Sequence, residues 1–224
     1  MTGYCVIFDF DGVIADTEAL HFAASREVLA SHGITLDRAR YYQKYLGYSD
    51  AMMAEAVAID QGLFAPDADL APFVREFIHT KGEAYQRLKA SGALLYDGVT
   101  ACIQQMAAAY PIGIASGAFR HEIEEILAGA DLLAYFSAIV GAGETSRSKP
   151  HPDPYLEAAR RLDAAPDRCV AIEDSMWGLD AARAAGMKTI AVTSSYPASQ
   201  LHANHVVPYT RDVTPAVIEA MFDA

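Results

Sequence analysis

Asp9-Phe10-Asp11-Gly12 closes a short apolar run, Tyr4-Cys5-Val6-Ile7-Phe8. Two carboxylates two residues apart share one face of a strand, and their repulsion disfavours the pair unless a cation is near. Where the strand ends the geometry opens, so one carboxylate can serve as a nucleophile while the other handles protons. The same tetrapeptide also reads as a plain turn, because acidic residues cap strand ends throughout α/β proteins. Ser116-Gly117 offers a hydroxyl and a backbone N–H ahead of a helix, which suits a phosphate and equally suits an ordinary turn. In Ser148-Lys149-Pro150-His151-Pro152-Asp153-Pro154 the prolines stiffen the loop and hold Lys149 as a placed point charge. Glu173-Asp174-Ser175 supplies a second carboxylate pair. Converging on Asp9, it would form a hard oxygen site suited to Mg²⁺. Alternatively, Asp174 or Ser175 is simply a helix N-cap. Each piece has a bland alternative, but each stands at the carboxyl end of a successive apolar run, and together they point to phosphoryl chemistry.

Those runs define the elements that must position the chemistry. Tyr4–Phe8, Ile112–Ala115, Ala138–Val140, Val170–Ile172 and Thr189–Val192 read as buried strands. Helical patterns lie between them at Val99–Ala109, Glu122–Leu127, Tyr155–Leu162 and Leu179–Ala185. The third follows Asp153-Pro154, read as an N-cap with proline at the first helical position, and the fourth stops at Gly186. This alternation predicts an α/β fold, a Rossmann-like doubly wound parallel sheet, with ligands bound beyond the carboxyl ends of the strands. From Thr17 to Ala93 only helical patterns occur: Ala19–Ser31 ending at Gly33, Tyr41–Leu46, Ala51–Ile59 ending near Gly62, and Leu70–Leu88 stopping before Ser91-Gly92. An inserted all-helical domain over 17–95 is expected, with the core formed by 1–16 and 96–224. The hinges fall near Asp16 and Tyr96-Asp97-Gly98.

The 224 residues, 52% hydrophobic and 21% charged, suffice for a core without covalent staples. A net charge of −12 disfavours nucleic acid or an anionic membrane as partner. Cys5, Cys102 and Cys169 are far apart in apolar segments and read as buried thiols of a reducing compartment. No signal peptide is evident, because Asp9 interrupts the first apolar run, and no run reaches the ~18 residues of a membrane span. A cytoplasmic location is therefore expected.

Asp9-x-Asp11-Gly12, Ser116-Gly117, Lys149-Pro150 and Glu173-Asp174-Ser175 resemble the four motifs of the haloacid dehalogenase superfamily of phosphotransferases. The helical insertion is similar to the cap of its subgroup containing β-phosphoglucomutase and phosphoglycolate phosphatase. The resemblance implies that Asp9 attacks phosphorus and forms an aspartyl-phosphate. Asp11 then acts as general acid and base, with its carboxyl raised above the free value of about 3.9 by burial under a closed cap. It implies Mg²⁺ held by the Asp9 and Asp174 carboxylates and the Asp11 carbonyl, with Glu173 acting through water. Ser116, Gly117 N–H and Lys149 would hold the phosphoryl oxygens. Asp16-Thr17-Glu18 with His21 also resembles the subgroup, so that Thr17 and His21 would steer Asp11, although His21 also reads as a packing residue. Among Tyr41, Tyr42, Tyr45 and Tyr48 at least half read as core, with Tyr48 and Lys44 candidates for a substrate face.

The implied activity is Mg²⁺-dependent hydrolysis of a small phosphorylated metabolite such as a sugar phosphate or phosphoglycolate. A β-phosphoglucomutase-like phosphomutase is the first alternative. There, the resemblance calls for an arginine in a G-x-S-R element, whereas Gly47-Tyr48-Ser49 is followed by Asp50, leaving Lys44 or Arg40 to replace it. A haloacid dehalogenase would need neither Asp11 as acid/base nor Asp174 for metal. A signalling module that stores a phosphoryl group on aspartate would be shorter and would carry it on a later strand.

Overall fold

Four consecutive apolar residues without alternation cannot remain half exposed, and Cys5–Phe8 accordingly forms a strand, β1, buried along its whole length. The computed structural model describes residues 3–45, 48, 50–65, 68–90 and 95–222. In chain order β1 is followed by α1 (Thr17–Ser31), α2 (Arg38–Arg40), a π-helical turn over Tyr41–Tyr45, α3 (Asp50–Asp60) and α4 (Ala71–Ala90). Then come α5 (Val99–Ala109), β2 (Ile112–Ala115), α6 (Arg120–Gly129), β3 (Ala138–Val140), α7 (Asp153–Arg161), β4 (Cys169–Glu173), α8 (Met176–Ala184), β5 (Lys188–Val192), β6 (His205–Val207) and α9 (Pro215–Ala220). The expected helix end at Leu46, the stop at Ser91-Gly92 and the Gly47 and Ser49 positions lie outside the described residues.

The backbone divides into two compact units, Met1–Asp16 with Leu94–Ala224, and Thr17–Ala93. The first contains a six-stranded, all-parallel sheet in the order β3-β2-β1-β4-β5-β6. The chain moves outward from β1 to β2 and β3, then crosses back to place β4 on the other side of β1. Such a reversal opens a crevice at the carboxyl ends of the two central strands. Register aligns Phe8 with both Ile114 and Ile172. Asp9 therefore stands level with Ala115 on one side and Glu173 on the other. Apolar side chains of β1, β4, α7 and α8, among them Ile7, Tyr155, Ala158, Ala171 and Ala182, pack as one buried cluster. Each fully buried large apolar side chain contributes about 1.5–3 kcal/mol.

One helix start differs from expectation, and two short elements have no counterpart in it. Asp153 is the first residue of α7 rather than its cap; Pro152 takes the cap position, and the Asp153 carboxylate pairs instead with Arg147 at 2.8 Å. The charge-assisted pair with the guanidinium is the stronger interaction open to that carboxylate. The short strand β6 carries no strand signature, because only Val207 of its three residues is buried; an edge strand lacks the apolar run of a central one. Helix α9 does carry a start signal, Thr214-Pro215: the Thr214 side chain accepts from Val217 N–H, and Pro215 occupies the first turn.

The second unit is helical, and no strand occurs among its described residues. Helix α4 packs against both α1 and α3. Phe22, Leu29, Tyr41, Tyr45, Val57 and Phe77 lie in its core.

Candidate active site

Three buried carboxylates converge where β1 and β4 end. Asp9, Glu173 and Asp174 each offer an oxygen within 4.8 Å of the others. Lys149, delivered by the loop after β3, is the cation among them: Nζ lies 2.8 Å from Asp9 Oδ1 and donates to Glu173 Oε1 at 2.6 Å. The Tyr155 ring lies 5.0 Å beneath the same ammonium. Its buried hydroxyl donates to Glu173 Oε1 at 2.9 Å. The other Glu173 oxygen, Oε2, accepts from Asp174 N–H (3.0 Å), Ser175 N–H (3.2 Å) and Ser175 Oγ (3.0 Å). Both oxygens of Glu173 are thus committed to the protein, and its carboxylate organises the loop, Lys149 and the start of α8.

Ser175 supplies the N-cap of α8, accepting from Gly178 N–H at 3.1 Å, so Asp174 is not consumed in capping. One Asp174 oxygen, Oδ2, accepts from Ser195 Oγ. Gly12 comes against the same carboxylate: with φ +80°, it turns the chain where a β-carbon would lie 1.8 Å from Asp174 Oδ2. Asp9 N–H donates to Ile172 O at 2.9 Å, fixing the backbone under the carboxylate. Asp9 Oδ1 is buried and accepts no aligned hydrogen bond, despite the lysine beside it.

Charge crowding dominates the electrostatics. Burial, and then the neighbouring Glu173 carboxylate, push the Asp9 carboxyl up to about 7 against the pull of Lys149. Burial together with Glu173 and Asp9 raises Asp174 well above the carboxylate range. Burial works against the charge of Lys149, yet Asp9 and Glu173 hold its pKa above the usual lysine value. Three carboxylates against one ammonium leave an excess of negative charge that desolvation makes costly. A hard divalent cation bound by oxygen would relieve that excess, and each of the three carboxylates has an oxygen within 4.8 Å of the others. The donor set therefore fits Mg²⁺.

Ser116 follows β2 on the other flank of β1. It is buried, its N–H donates to Val140 O at 2.9 Å, and its Oγ accepts from Ala118 N–H at 3.1 Å. Gly117 has open space where a side chain would be. Asp11 is half-buried in the turn after β1, where it forms a bridge with Ala15. Glu144, beyond β3, accepts from Arg120 at 2.7 and 2.8 Å and from Arg161 at 2.8 Å; Arg161 also donates to Ile139 O at 2.6 Å. This knot ties the strand end to the base of the Lys149 loop, and the Arg120 hydrogen bonds pull Glu144 down to about 2.

The remaining candidates belong to the helical unit. Thr17 is buried in the first turn of α1. His21 stacks on Tyr85 with centroids 4.6 Å apart, and burial, then Lys81, lowers its pKa to about 4, so the imidazole is neutral near pH 7. Buried Lys81 pairs with Asp50. Lys44 Nζ lies 2.5 Å from Asp60, which also accepts from Tyr45 OH at 2.6 Å. Tyr41 and Tyr45 are core residues, Tyr42 is partly buried and Tyr48 is exposed. The three cysteines are free and buried. No helix among the described residues is long and apolar enough to cross a membrane.

Tyr155 and Ser195 were not anticipated from sequence. A tyrosine in the first turn of an amphipathic helix reads as core, and a serine in Thr193-Ser194-Ser195-Tyr196 reads as loop. Only strand order reveals their partners.

The family model for haloacid dehalogenase-like hydrolases matches residues 6–192. The β-phosphoglucomutase of Bacillus subtilis (strain 168) is 33% identical over 93% of this chain and 91% of its own. The fructose-1-phosphate phosphatase YqaB of Escherichia coli (strain K12) is 32% identical over 84% of this chain and 95% of its own. Among solved structures, a CbbY from Rhodobacter sphaeroides in complex with xylulose-(1,5)-bisphosphate superposes with a TM-score of 0.73. It shares 26% identity and covers 96% of this chain and 98% of that one.

Proposed function

The chain belongs to the haloacid dehalogenase-like hydrolases, and from that membership we propose that it is a Mg²⁺-dependent phosphatase of a small phosphorylated metabolite, a sugar phosphate or a similar monoester, working through an aspartyl-phosphate. The observation that carries this reading is the buried trio Asp9, Glu173 and Asp174 opposed by the single ammonium of Lys149.

Asp9 is the nucleophile. Its carboxylate oxygen attacks phosphorus in line, the bond to the ester oxygen breaks, and Asp11 delivers a proton to the departing alcohol. Asp11, now ionised, takes a proton from the water that opens the aspartyl-phosphate, releasing inorganic phosphate and restoring Asp9. Ser116 Oγ, Gly117 N–H and Lys149 hold the phosphoryl oxygens. When phosphate enters, Lys149 exchanges part of its pairing with Asp9 for the incoming oxygens, while Glu173 and Tyr155 keep its ammonium in place. The carboxylates of Asp9 and Asp174 and the carbonyl of Asp11 would hold Mg²⁺, which when bound would supply neutralising charge for the phosphoryl group.

The β-phosphoglucomutase relative favours a second reading, transfer of the phosphoryl group to a second hydroxyl rather than to water. Asp50, where that reading calls for arginine, weighs against it: its carboxylate pairs with Lys81, and the substitutes Arg40 and Lys44 both lie against Asp60. The test is release of inorganic phosphate from a panel of hexose and hexitol monophosphates and phosphoglycolate, with Mg²⁺, by wild type and Asp9→Asn. Steady phosphate release that Asp9→Asn abolishes in folded protein supports a phosphatase. Isomerised sugar phosphate without net release would establish the mutase, and near wild-type activity in Asp9→Asn would overturn the covalent mechanism.

A further inference from the structure

The loop after β5 enters the site from the side opposite Ser116. Thr193 anchors its start: the N–H donates to Val207 O at 3.2 Å and Oγ1 donates to Pro208 O at 3.4 Å. The next two residues each send a hydroxyl into the β1–β4 crevice. Ser194 Oγ donates to Gly12 O, and Ser195 Oγ donates to Asp174 Oδ2. These two acceptors come from segments more than 150 residues apart in sequence, Gly12 after β1 and Asp174 after β4, and the two residues lie so close that a β-carbon on Gly12 would meet the Asp174 carboxylate.

A carboxylate that must bind a cation has a rotational problem. If its χ2 torsion is loose, one or the other oxygen faces the cation and affinity falls, because ordering the group costs entropy at the moment of binding. Asp174 Oδ2 is boxed by Gly12 on one side and by the Ser195 hydroxyl on the other. That restrains Oδ2, and with it the orientation in which the carboxylate meets Asp9 and Glu173. Groups that orient a ligand from behind typically change metal affinity by about 10–100-fold.

We propose that Ser195 is a positioning residue for the cation site, orienting the Asp174 carboxylate through its hydroxyl, with Ser194 holding the Gly12 turn against the same carboxylate. The proposal rests on the metal-dependent reading above. It adds the Thr193–Tyr196 loop to a site otherwise built from the ends of β1, β2, β3 and β4.

The structure also supplies a reporter. Trp177, the chain's single tryptophan, stands in the first turn of α8, three residues after Asp174. Its ring packs edge-on against Tyr196, the residue after Ser195, at 6.2 Å. Mg²⁺ alone is titrated into wild type, Ser195→Ala, Ser195→Thr and Ser195→Cys, followed by calorimetry and by Trp177 emission, and the Mg²⁺ concentration for half-maximal activity is measured alongside. Ser195→Ala should weaken Mg²⁺ about tenfold or more. Ser195→Thr, which keeps the hydroxyl, should recover most of the affinity, and Ser195→Cys, a weak donor, should fall between. In Ser195→Ala the half-activating concentration should shift by the same factor as the dissociation constant, with kcat recovering at saturating Mg²⁺. Equal Mg²⁺ affinity in wild type and the folded variants overturns the role of Ser195 and leaves the metal reading standing. Absence of Mg²⁺ binding by wild type overturns the metal reading and this proposal with it. Should Ser195→Ala fail to fold, the ordering of wild type, Thr and Cys decides in the same way.

Discussion

Gly12 and Asp174 meet more closely than any side chain at position 12 would allow: a β-carbon there would lie 1.8 Å from Oδ2, on a residue whose φ is +80°. Gly12→Ala should therefore carry two penalties. The left-handed backbone costs about 1–3 kcal/mol for a non-glycine residue, and the methyl must push the Asp174 carboxylate off Ser195. Thermal unfolding should show a lower Tm, and activity at saturating substrate should fall further than the loss of folded protein accounts for. A variant with wild-type Tm and activity would mean that the turn relaxes freely and does not locate Asp174.

Metal removal should silence the enzyme. Chelation by EDTA leaves Asp9, Glu173, Asp174 and a phosphate dianion with the Lys149 ammonium as their counter-charge, too little to balance them, so turnover should vanish and return on adding Mg²⁺. Ca²⁺ should compete for the site yet support turnover poorly, since its larger and looser oxygen shell misplaces the nucleophile. Phosphate-release assays across the three conditions decide it, and full activity in metal-free buffer would contradict the assignment of Asp174.

Asp11→Asn separates the two halves of the reaction. Hydrolysis of an alkyl phosphate needs a protonated leaving group, so its rate should drop by about 10²–10⁴. p-Nitrophenyl phosphate should suffer less in the first step, because nitrophenolate departs without a proton. Hydrolysis of the aspartyl-phosphate then lacks its base and stalls. Rapid quench should show a nitrophenol burst close to one equivalent and slow release afterwards. Equal loss with both substrates and no burst would move the acid/base role elsewhere. His21 is a poor replacement as an acid near pH 7, with a pKa near 4.

The Glu144 knot predicts a pH dependence of stability. Hydrogen bonds from Arg120 hold the folded-state carboxyl near 2, below its ordinary value of 4.5. A depressed carboxyl binds fewer protons folded than unfolded, so its contribution is complete above about pH 4.5 and is lost as pH falls toward 2. Glu144→Gln should lower stability at neutral pH by about 1–3 kcal/mol, the scale of a charged hydrogen bond. The gap between wild type and variant, measured by denaturant unfolding, should narrow steadily below pH ~4.5. A gap that stays constant down to pH 3 would show that the arginines stabilise the strand end by packing alone.

Local sequence determines the parts of this protein that depend on neighbours along the chain. The apolar run before Asp9, the Ser-Gly after Ala115, the proline-flanked Lys149 and the acidic pair after Ile172 are each legible because a buried strand and the turn that ends it have a short-range signature. The helical character of 17–93 is legible for the same reason. Tertiary structure decides which of these ends meet. Strand β4 returns beside β1, at a register aligning Ile172 with Phe8, and only then does Glu173 reach Lys149 and Tyr155 while Asp174 reaches Gly12 and Ser195. Glu173 shows the difference most plainly. Its type and position in the sequence suggest a metal-site residue, and the fold places it in the buried acidic trio while surrounding both oxygens with donors from three segments, so that it also anchors the lysine. Side-chain saturation of that kind depends on distances between residues remote in the chain, which no periodicity of the sequence encodes.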